Sequence, residues 1–161
     1  TGPMLEAARK IRALTADCGA LFMVNDRVDV ALISKADGVH LGGDDIPIED
    51  ARKLLGENSI IGISTHTRDE ALNAQKRGAD YISFGPVFAT KTKKDALSPR
   101  GLKALKEAVE SVSIPVVAIG GINGKNLSDV LACGVGSTAI ISDILASKNI
   151  GAKVARIIAV F

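Results

Sequence analysis

The sequence predicts an α/β domain built on a parallel sheet. Short runs rich in β-branched residues alternate, from end to end, with longer stretches of helical period. Two forms of that class compete, a (β/α)8 barrel and an open doubly wound sheet. No G-x-G-x-x-G follows an early strand, which weakens the dinucleotide-binding sheet. Polar residues follow almost every predicted strand: Asn25-Asp26, Gly42 to Asp45, Ser64 to Thr67, Gly85 to Lys94, Gly120 to Asn123 and Ser142-Asp143. A barrel gathers its functional groups in this way, on the rim formed by the C-terminal ends of its strands.

Each element has its own signal. The first helix is expected over Met4–Leu14, where Leu5, Ala8, Ile11 and Leu14 fall on one stripe. "ALFMV" (20–24) is the first strand, and the stretch from Asp26 to Asp37 leaves room for two or three helical turns. "DGVHL" (37–41) is the second strand, followed by Ile48–Leu55, which Pro47 opens as a residue suited to a first turn. "SIIGIS" (59–64) precedes a helix over Asp69–Arg77, with Gly78 as its C-terminal stop. "DYISF" (80–84) leads through a long polar loop to Leu102–Val109, which follows Pro99 and Gly101. "PVVAIG" (115–120), Asn126–Ala132 before Gly134, "TAIIS" (138–142) and Val154–Val160 complete the series. Several strands read as apolar on both faces, as parallel strands between a core and a helix layer do.

The chain has 161 residues, 47% of them hydrophobic, enough for one domain over 1–161 with an aliphatic core. No linker or shift in composition marks a second domain. Twenty basic and 18 acidic residues are mixed along the chain for a net charge of +2, which argues against nucleic acid and membrane surfaces as partners. No apolar run nears the roughly 20 residues of a membrane span, and no signal peptide is visible. Cys18 and Cys133 lie far apart without metal-like spacing and read as reduced thiols, so a cytoplasmic protein is expected. The chain opens "TGPMLEAARK", without methionine at position 1, and enters a helix almost at once, as expected where a further segment precedes it.

Three clusters can carry chemistry. "VNDR" (24–27) sets Asp26 at a strand end, and "GGDD" (42–45) brings Asp44 and Asp45 to the neighbouring position. Alone, either is a turn or a helix cap. Together, carboxylates on adjacent strand ends are what Mg²⁺ prefers, with water and phosphate oxygens completing its shell. "FGPVFATKTKKD" (84–95) follows a strand with Thr90 and Thr92 as hydroxyl donors and Lys91, Lys93 and Lys94 as cations. A solvated loop competes with a phosphate-holding one, most seriously for Lys91 and Lys94. "IGGIN" (119–123) and "IISDI" (140–144) sit where barrels often bind phosphate on backbone N–H groups. His40 inside an apolar strand reads as a packed or hydrogen-bonded core histidine with no catalytic role, and His66 in "STHT" carries only a weak signal. No Ser/His/Asp or Cys/His nucleophile set is present in the pattern.

In order and spacing, "VNDRVDVAL", "ADGVHLGGDD", "IIGISTHT", "GADYISFGPVFATKTKKD", "IPVVAIGGIN" and "AIISDI" resemble thiamine-phosphate synthases over about residues 20–145. The resemblance implies a (β/α)8 TIM barrel. It also implies Mg²⁺-dependent coupling of hydroxymethylpyrimidine diphosphate with a thiazole phosphate, releasing pyrophosphate. Carried over by motif, Asp26 and Asp45 would be the Mg²⁺ ligands. Asn25, Ser64 and Lys93 would contact the pyrimidine diphosphate, with Lys93 and Ser64 taking part in the chemistry. Thr90, Lys91 and Thr92, with Gly121, Ile141 and Ser142, would hold the thiazole phosphate. The implied partners are small phosphorylated molecules, and the resemblance leaves room for a homo-oligomer.

The departures are specific. The family's Gln-x-Arg-x-Lys segment, which grips the pyrimidine diphosphate, has no counterpart in this chain. Gly43 stands where glutamine is usual, Asn123 for threonine, Ser137 for glycine, and Asp143 for alanine, which would place a negative charge near the phosphate. Six of the eight βα units are readable, so about two more, N-terminal to these, are expected in the native protein. The competing functions are a thiazole tautomerase of the same fold and a non-catalytic protein that binds phosphate ligands.

Overall fold

The computed structural model describes residues 1–92 and 97–161. Helix α1 (Gly2–Cys18) is followed by β1 (Met23–Asn25), α2 (Val28–Ser34), β2 (Gly38–Leu41), α3 (Ile48–Leu55), β3 (Ile60–Thr65), α4 (Arg68–Lys76) and β4 (Tyr81–Phe84). Then come α5 (Gly101–Ser111), β5 (Val116–Ile119), α6 (Leu127–Leu131), β6 (Ser137–Ala139), α7 (Ser142–Leu145) and α8 (Ile150–Ile158). The six strands among the described residues are all parallel and stand in chain order, β1-β2-β3-β4-β5-β6, each joined to the next through a helix. A doubly wound sheet reverses direction at a switch point; this one adds strands in one direction only, as a barrel wall does.

The two faces of the sheet divide by period 2. Val24, Val39, Leu41, Ile61, Ile82, Phe84, Val116 and Ala118 are buried with the helix residues Ala8, Ala31, Ala51, Ala71, Ala74, Leu105, Ala108 and Leu127. Small alanines recur on that helix side, and they let the helices approach the strands closely. The intervening strand positions carry Asn25, His40, Gly62, Ser64, Tyr81 and Ser83. That second face also carries Met23, Ile60, Val117 and Ile119, and in β1 to β4 it turns polar towards the C-terminal ends of the strands.

Two expected strands shift, each for a visible reason. The first spans 23–25 rather than 20–24, because its ladder starts at Met23 opposite Gly38, while the Phe22 N–H is taken at 2.6 Å by the Asp37 carboxylate. The last ends at Ala139 rather than 142, because its partner strand ends at Ile119 and turns away through Gly120 and Gly121, at φ 96° and 67°. Ser142 therefore opens α7 instead of closing a strand. Helix α4 starts on Thr67, whose side chain accepts from the Glu70 N–H at 3.2 Å, and Gly78 follows its end at φ 89°.

An aspartate clamp occurs twice. Asp37 accepts from Phe22 N–H and from Arg12 of α1 at 2.8 Å. Asp80 accepts from the buried Ile61 N–H at 2.7 Å and from Arg52 of α3 at 2.6 Å. Each ties a helix to the strand that follows it and to the next strand's entry. The Phe22 N–H, foremost, and the Arg12 guanidinium hold the Asp37 carboxyl below its ordinary pKa. Asp80→Ala leaves a buried N–H without its acceptor and is expected to cost about 1–3 kcal/mol in urea unfolding. Asp80→Asn keeps an acceptor oxygen and is expected to cost less.

Candidate active site

A cleft of about 780 Å³ opens at the C-terminal ends of the strands. Each of the six strands contributes to it: Asn25 and Asp26 at the end of β1, Gly42 to Asp45 after β2, Ser64 to His66 from β3, Ser83, Gly85 and Pro86 from β4, Ile119 to Ile122 after β5, and Ala139, Ile141 and Ser142 after β6. Of the residues singled out in the sequence, Asn25, Asp26, Asp45, Ser64, Thr90, Thr92, Gly121, Ile141 and Ser142 line this one cleft. Lys91 is exposed and lies outside its lining. Lys93, and with it Lys94, lies outside the described residues.

At one end stand the carboxylates. Asp26 has left-handed backbone at φ 64°, and its N–H donates to the His40 carbonyl at 2.9 Å, which fixes the turn at the top of β1 against β2. Aspartate is one of the few side chains that tolerate this conformation. The Asp45 carboxylate folds back to accept from the Gly42 N–H at 2.7 Å, so one of its oxygens shapes the loop after β2. Asp44 lines the same end. Among the described residues no three His, Cys, Asp or Glu converge as a metal cage. A pair of oxygen donors with room beside it still fits Mg²⁺, which keeps several waters and binds phosphate oxygens along with one or two carboxylates.

At the other end the backbone forms a cradle. The loop after β4 is stitched to β5, with Val87 N–H to the Ile119 carbonyl at 2.9 Å and Phe88 N–H to the Gly120 carbonyl at 3.0 Å. It is closed at its far side by Arg100 N–H to Pro86 and Gly101 N–H to Val87, at 2.8 and 3.0 Å. Thr90 and Thr92 are held together: the Thr92 N–H donates to Thr90 Oγ1 at 3.2 Å, and the Thr90 hydroxyl donates to Thr92 Oγ1 at 3.3 Å. A Cβ on Gly121 would stand 2.6 Å from the Ala89 carbonyl oxygen and 2.7 Å from Phe88 Cβ, so only glycine allows this approach. The Gly121 carbonyl is pinned by the side-chain amides of Asn123 and Asn126, both at 3.1 Å. Asn123 thus has a definite task in the cradle, and Asn126 is a supporting residue that the sequence did not single out.

The charge of Asp143 is answered locally. Its carboxylate accepts from Lys153 Nζ at 2.7 Å and from the Gly124 N–H at 2.9 Å, and the lysine, foremost, lowers its pKa. The negative charge expected near the phosphate is paired, and it ties α7 and α8 to the loop after β5.

The centre of the cleft holds residues that sequence reasoning left out. His40, expected to be a packed or hydrogen-bonded core residue, is hydrogen-bonded but lines the cleft: it bonds Tyr81 Oη at 2.8 Å through Nδ1 and Ser64 Oγ at 3.0 Å through Nε2, with Ser83 Oγ 3.3 Å away. Burial pushes its pKa below the ordinary value, against the Asp45 carboxylate, which raises it. His66 Nδ1–H donates to the Gly85 carbonyl at 2.6 Å, so it braces the start of the loop after β4. A signal for His40 was present: His40, Gly62 and Tyr81 stand in one row across three strands, and a strand glycine marks a close approach.

The cleft therefore has its carboxylates after β1 and β2 and a cradle of glycine backbone and threonine hydroxyls after β4 and β5. A sequence model of the family described as thiamine monophosphate synthase matches residues 1–144. The chain belongs to that family. It is 48% identical over 149 residues to the thiamine-phosphate synthase of Pelotomaculum thermopropionicum, covering 92% of this chain and 68% of that one. It is 49% identical over 152 residues to the thiamine-phosphate synthase of Chloroflexus aurantiacus, covering 94% and 70%. Among solved structures, the thiamine phosphate pyrophosphorylase of Pyrococcus furiosus superposes with a TM-score of 0.91 at 46% identity, over 98% of this chain and 75% of that one. A 3-hexulose-6-phosphate synthase, at 16% identity and a TM-score of 0.72, shares the fold alone. Among the described residues no helix is long and apolar enough to cross a membrane.

Proposed function

We propose that this family member is a thiamine-phosphate synthase that couples hydroxymethylpyrimidine diphosphate to thiazole phosphate within the 780 Å³ cleft, with Mg²⁺ bound by Asp26 and Asp45. The observation that carries the reading is the cleft itself, with the carboxylates Asp26, Asp44 and Asp45 after β1 and β2 and a cradle of glycine backbone and threonine hydroxyls after β4 and β5. The diphosphate lies at the carboxylate end, near Asn25 and Ser64. The thiazole phosphate lies on the N–H and hydroxyl groups of Thr90, Thr92, Gly121 and Ser142, with the Ile141 backbone alongside. Lys91 adds charge at the mouth of the cradle, and Lys93, which lies outside the described residues, is assigned to the leaving pyrophosphate.

In the reaction the bond between the pyrimidine methylene carbon and the diphosphate oxygen breaks, and its electron pair leaves with pyrophosphate. The thiazole nitrogen donates its lone pair to that carbon and forms the new C–N bond. Bound Mg²⁺ supplies positive charge against the growing negative charge of the leaving group. The residues of this chain orient the two reactants, and no protein nucleophile is needed. The electron-rich pyrimidine tolerates the cationic carbon between the two events.

The same reading makes the six units part of a single (β/α)8 barrel domain. Its support is the unbroken strand order and the fact that β1 and β6 each pair on one side only among the described residues. An intact mass near 16.7 kDa for the purified, active protein would contradict two further units. A cytoplasmic setting suits Cys18 and Cys133, both free thiols.

The functional test compares three incubations with Mg²⁺: pyrimidine diphosphate alone, thiazole phosphate alone, and both together. A synthase forms thiamine phosphate only in the third. Isomerised thiazole phosphate in the second, without coupling in the third, would point instead to the tautomerase, and binding without any conversion to a non-catalytic relative.

A further inference from the structure

We infer that Tyr81 and His40 form a positioning relay that holds the Ser64 hydroxyl as a hydrogen-bond donor into the cleft. Gly62 makes the contact possible. In the parallel register His40 stands beside Gly62, and Gly62 beside Tyr81. A Cβ at position 62 would overlap the Tyr81 ring, so the glycine is what lets the ring lie across β3 and reach β2. The ring ends 5.4 Å from the imidazole, centre to centre, with its hydroxyl 2.8 Å from His40 Nδ1.

The tautomer follows from the donors available. The two ring nitrogens of His40 meet only hydroxyl groups among their hydrogen-bond partners, Tyr81 Oη at Nδ1 and Ser64 Oγ and Ser83 Oγ at Nε2, and a neutral ring has one N–H to place between them. Burial raises the Tyr81 pKa, so the phenol keeps its proton. A phenol donates better than it accepts, and the Tyr81 O–H is therefore given to Nδ1. The imidazole proton is then on Nε2, which faces two hydroxyl oxygens, Ser64 Oγ at 3.0 Å and Ser83 Oγ at 3.3 Å. The opposite tautomer would turn the phenol into an acceptor and leave its proton without the imidazole. With the N–H given to Ser64 Oγ, the serine's own hydrogen is released to point outward. Ser64 lines the cleft and stands in register with Ser83 on the next strand.

On the proposed function, on which this part of the inference rests, that hydrogen meets an acceptor oxygen or nitrogen of the pyrimidine diphosphate. Tyr81 and His40 then act through Ser64, and neither needs to touch substrate. The relay is neutral throughout. It adds orientation to the cleft without adding charge beside the carboxylates.

A double-mutant cycle on the full-length protein tests it, together with imidazole ¹⁵N spectra. The chain has two histidines, His40 and His66, so the spectra are simple to assign. The wild type is expected to show His40 protonated on Nε2, and Tyr81→Phe to shift it towards the Nδ1 form. Tyr81→Phe is expected to lower kcat for coupling roughly ten- to hundredfold with little change in KM for the pyrimidine diphosphate. In the Ser64→Ala background the same substitution is expected to change kcat by less than about twofold. An Nδ1-protonated His40 in the wild type would overturn the relay. So would an equal loss from Tyr81→Phe in both backgrounds, which is the mark of a merely structural tyrosine. A protein that does not couple its substrates at all overturns the functional reading, and the tautomer, read without substrate, still decides the relay.

Discussion

Replacing Asp26 by asparagine is expected to lower thiamine phosphate formation by about 10²–10³-fold, the cost of removing one group that stabilises charge in a transition state. The substitution is a narrow one. Asp26 has φ 64°, and asparagine tolerates that left-handed backbone as well as aspartate does. The N–H that bonds the His40 carbonyl at 2.9 Å is kept, so the turn above β1 is kept with it. What is lost is a carboxylate charge at the end of the cleft assigned to Mg²⁺ and the diphosphate. The loss is expected to fall on kcat and on the apparent affinity for Mg²⁺. Thiazole phosphate, proposed to sit on the loops of Thr90, Thr92 and Gly121 rather than beside Asp26, is expected to bind within about twofold of the wild type, because charges in a wet cleft are screened. Pyrophosphate release and calorimetric binding measure the two quantities separately. Activity within a few-fold of the wild type would remove Asp26 from the metal site.

Gly121→Ala is the second large effect, and it strikes the other end. The position has φ 67°, which costs a side-chain-bearing residue about 1–2 kcal/mol. The added methyl would also stand 2.6 Å from the Ala89 carbonyl oxygen and 2.7 Å from Phe88 Cβ. Overpacking of this kind costs about 1–3 kcal/mol, and here it pushes apart the two loops proposed to hold the thiazole phosphate. The expected result is a lowered melting temperature together with at least about a tenfold rise in the Kd for thiazole phosphate, since tenfold corresponds to about 1.4 kcal/mol. Gly124→Ala is the control. Its methyl would meet Lys153 Nζ at 3.6 Å, an ordinary contact, and its stability is expected to change by less than about 0.5 kcal/mol.

The parallel α/β class and the order of its elements were legible because strand and helix periods alternate without interruption. Ile48–Leu55 matches its expected bounds, and Gly78 and Gly134 follow helices as stops, both at positive φ. The ends of β1 and β6 were not legible, because they are set by where a neighbour's ladder starts and stops. Residues such as Ile140 and Ile141 are strand-like by composition, and only the turn at Gly120-Gly121 denies them a partner. The polar rim was readable as a series of strand-end residues, and nine of the residues singled out line one cleft. His40 escaped because a histidine in the middle of an aliphatic strand looks the same whether it faces the helix layer or the cleft. One residue of register decides between those faces. Asn126 and Lys153 escaped for a different reason: each acts through a contact far along the chain or through a backbone carbonyl, and neither leaves a spacing to find.

The central claim is that one cleft binds both substrates and joins them. Single-turnover quenching of the full-length protein with both substrates tests it most directly, with thiamine phosphate and pyrophosphate measured in the same samples. The two products are expected to appear together, in equal amounts and at the same rate, and to disappear together when Mg²⁺ is chelated. Pyrophosphate released without thiamine phosphate, or both substrates bound at saturation with neither product formed, would contradict the account.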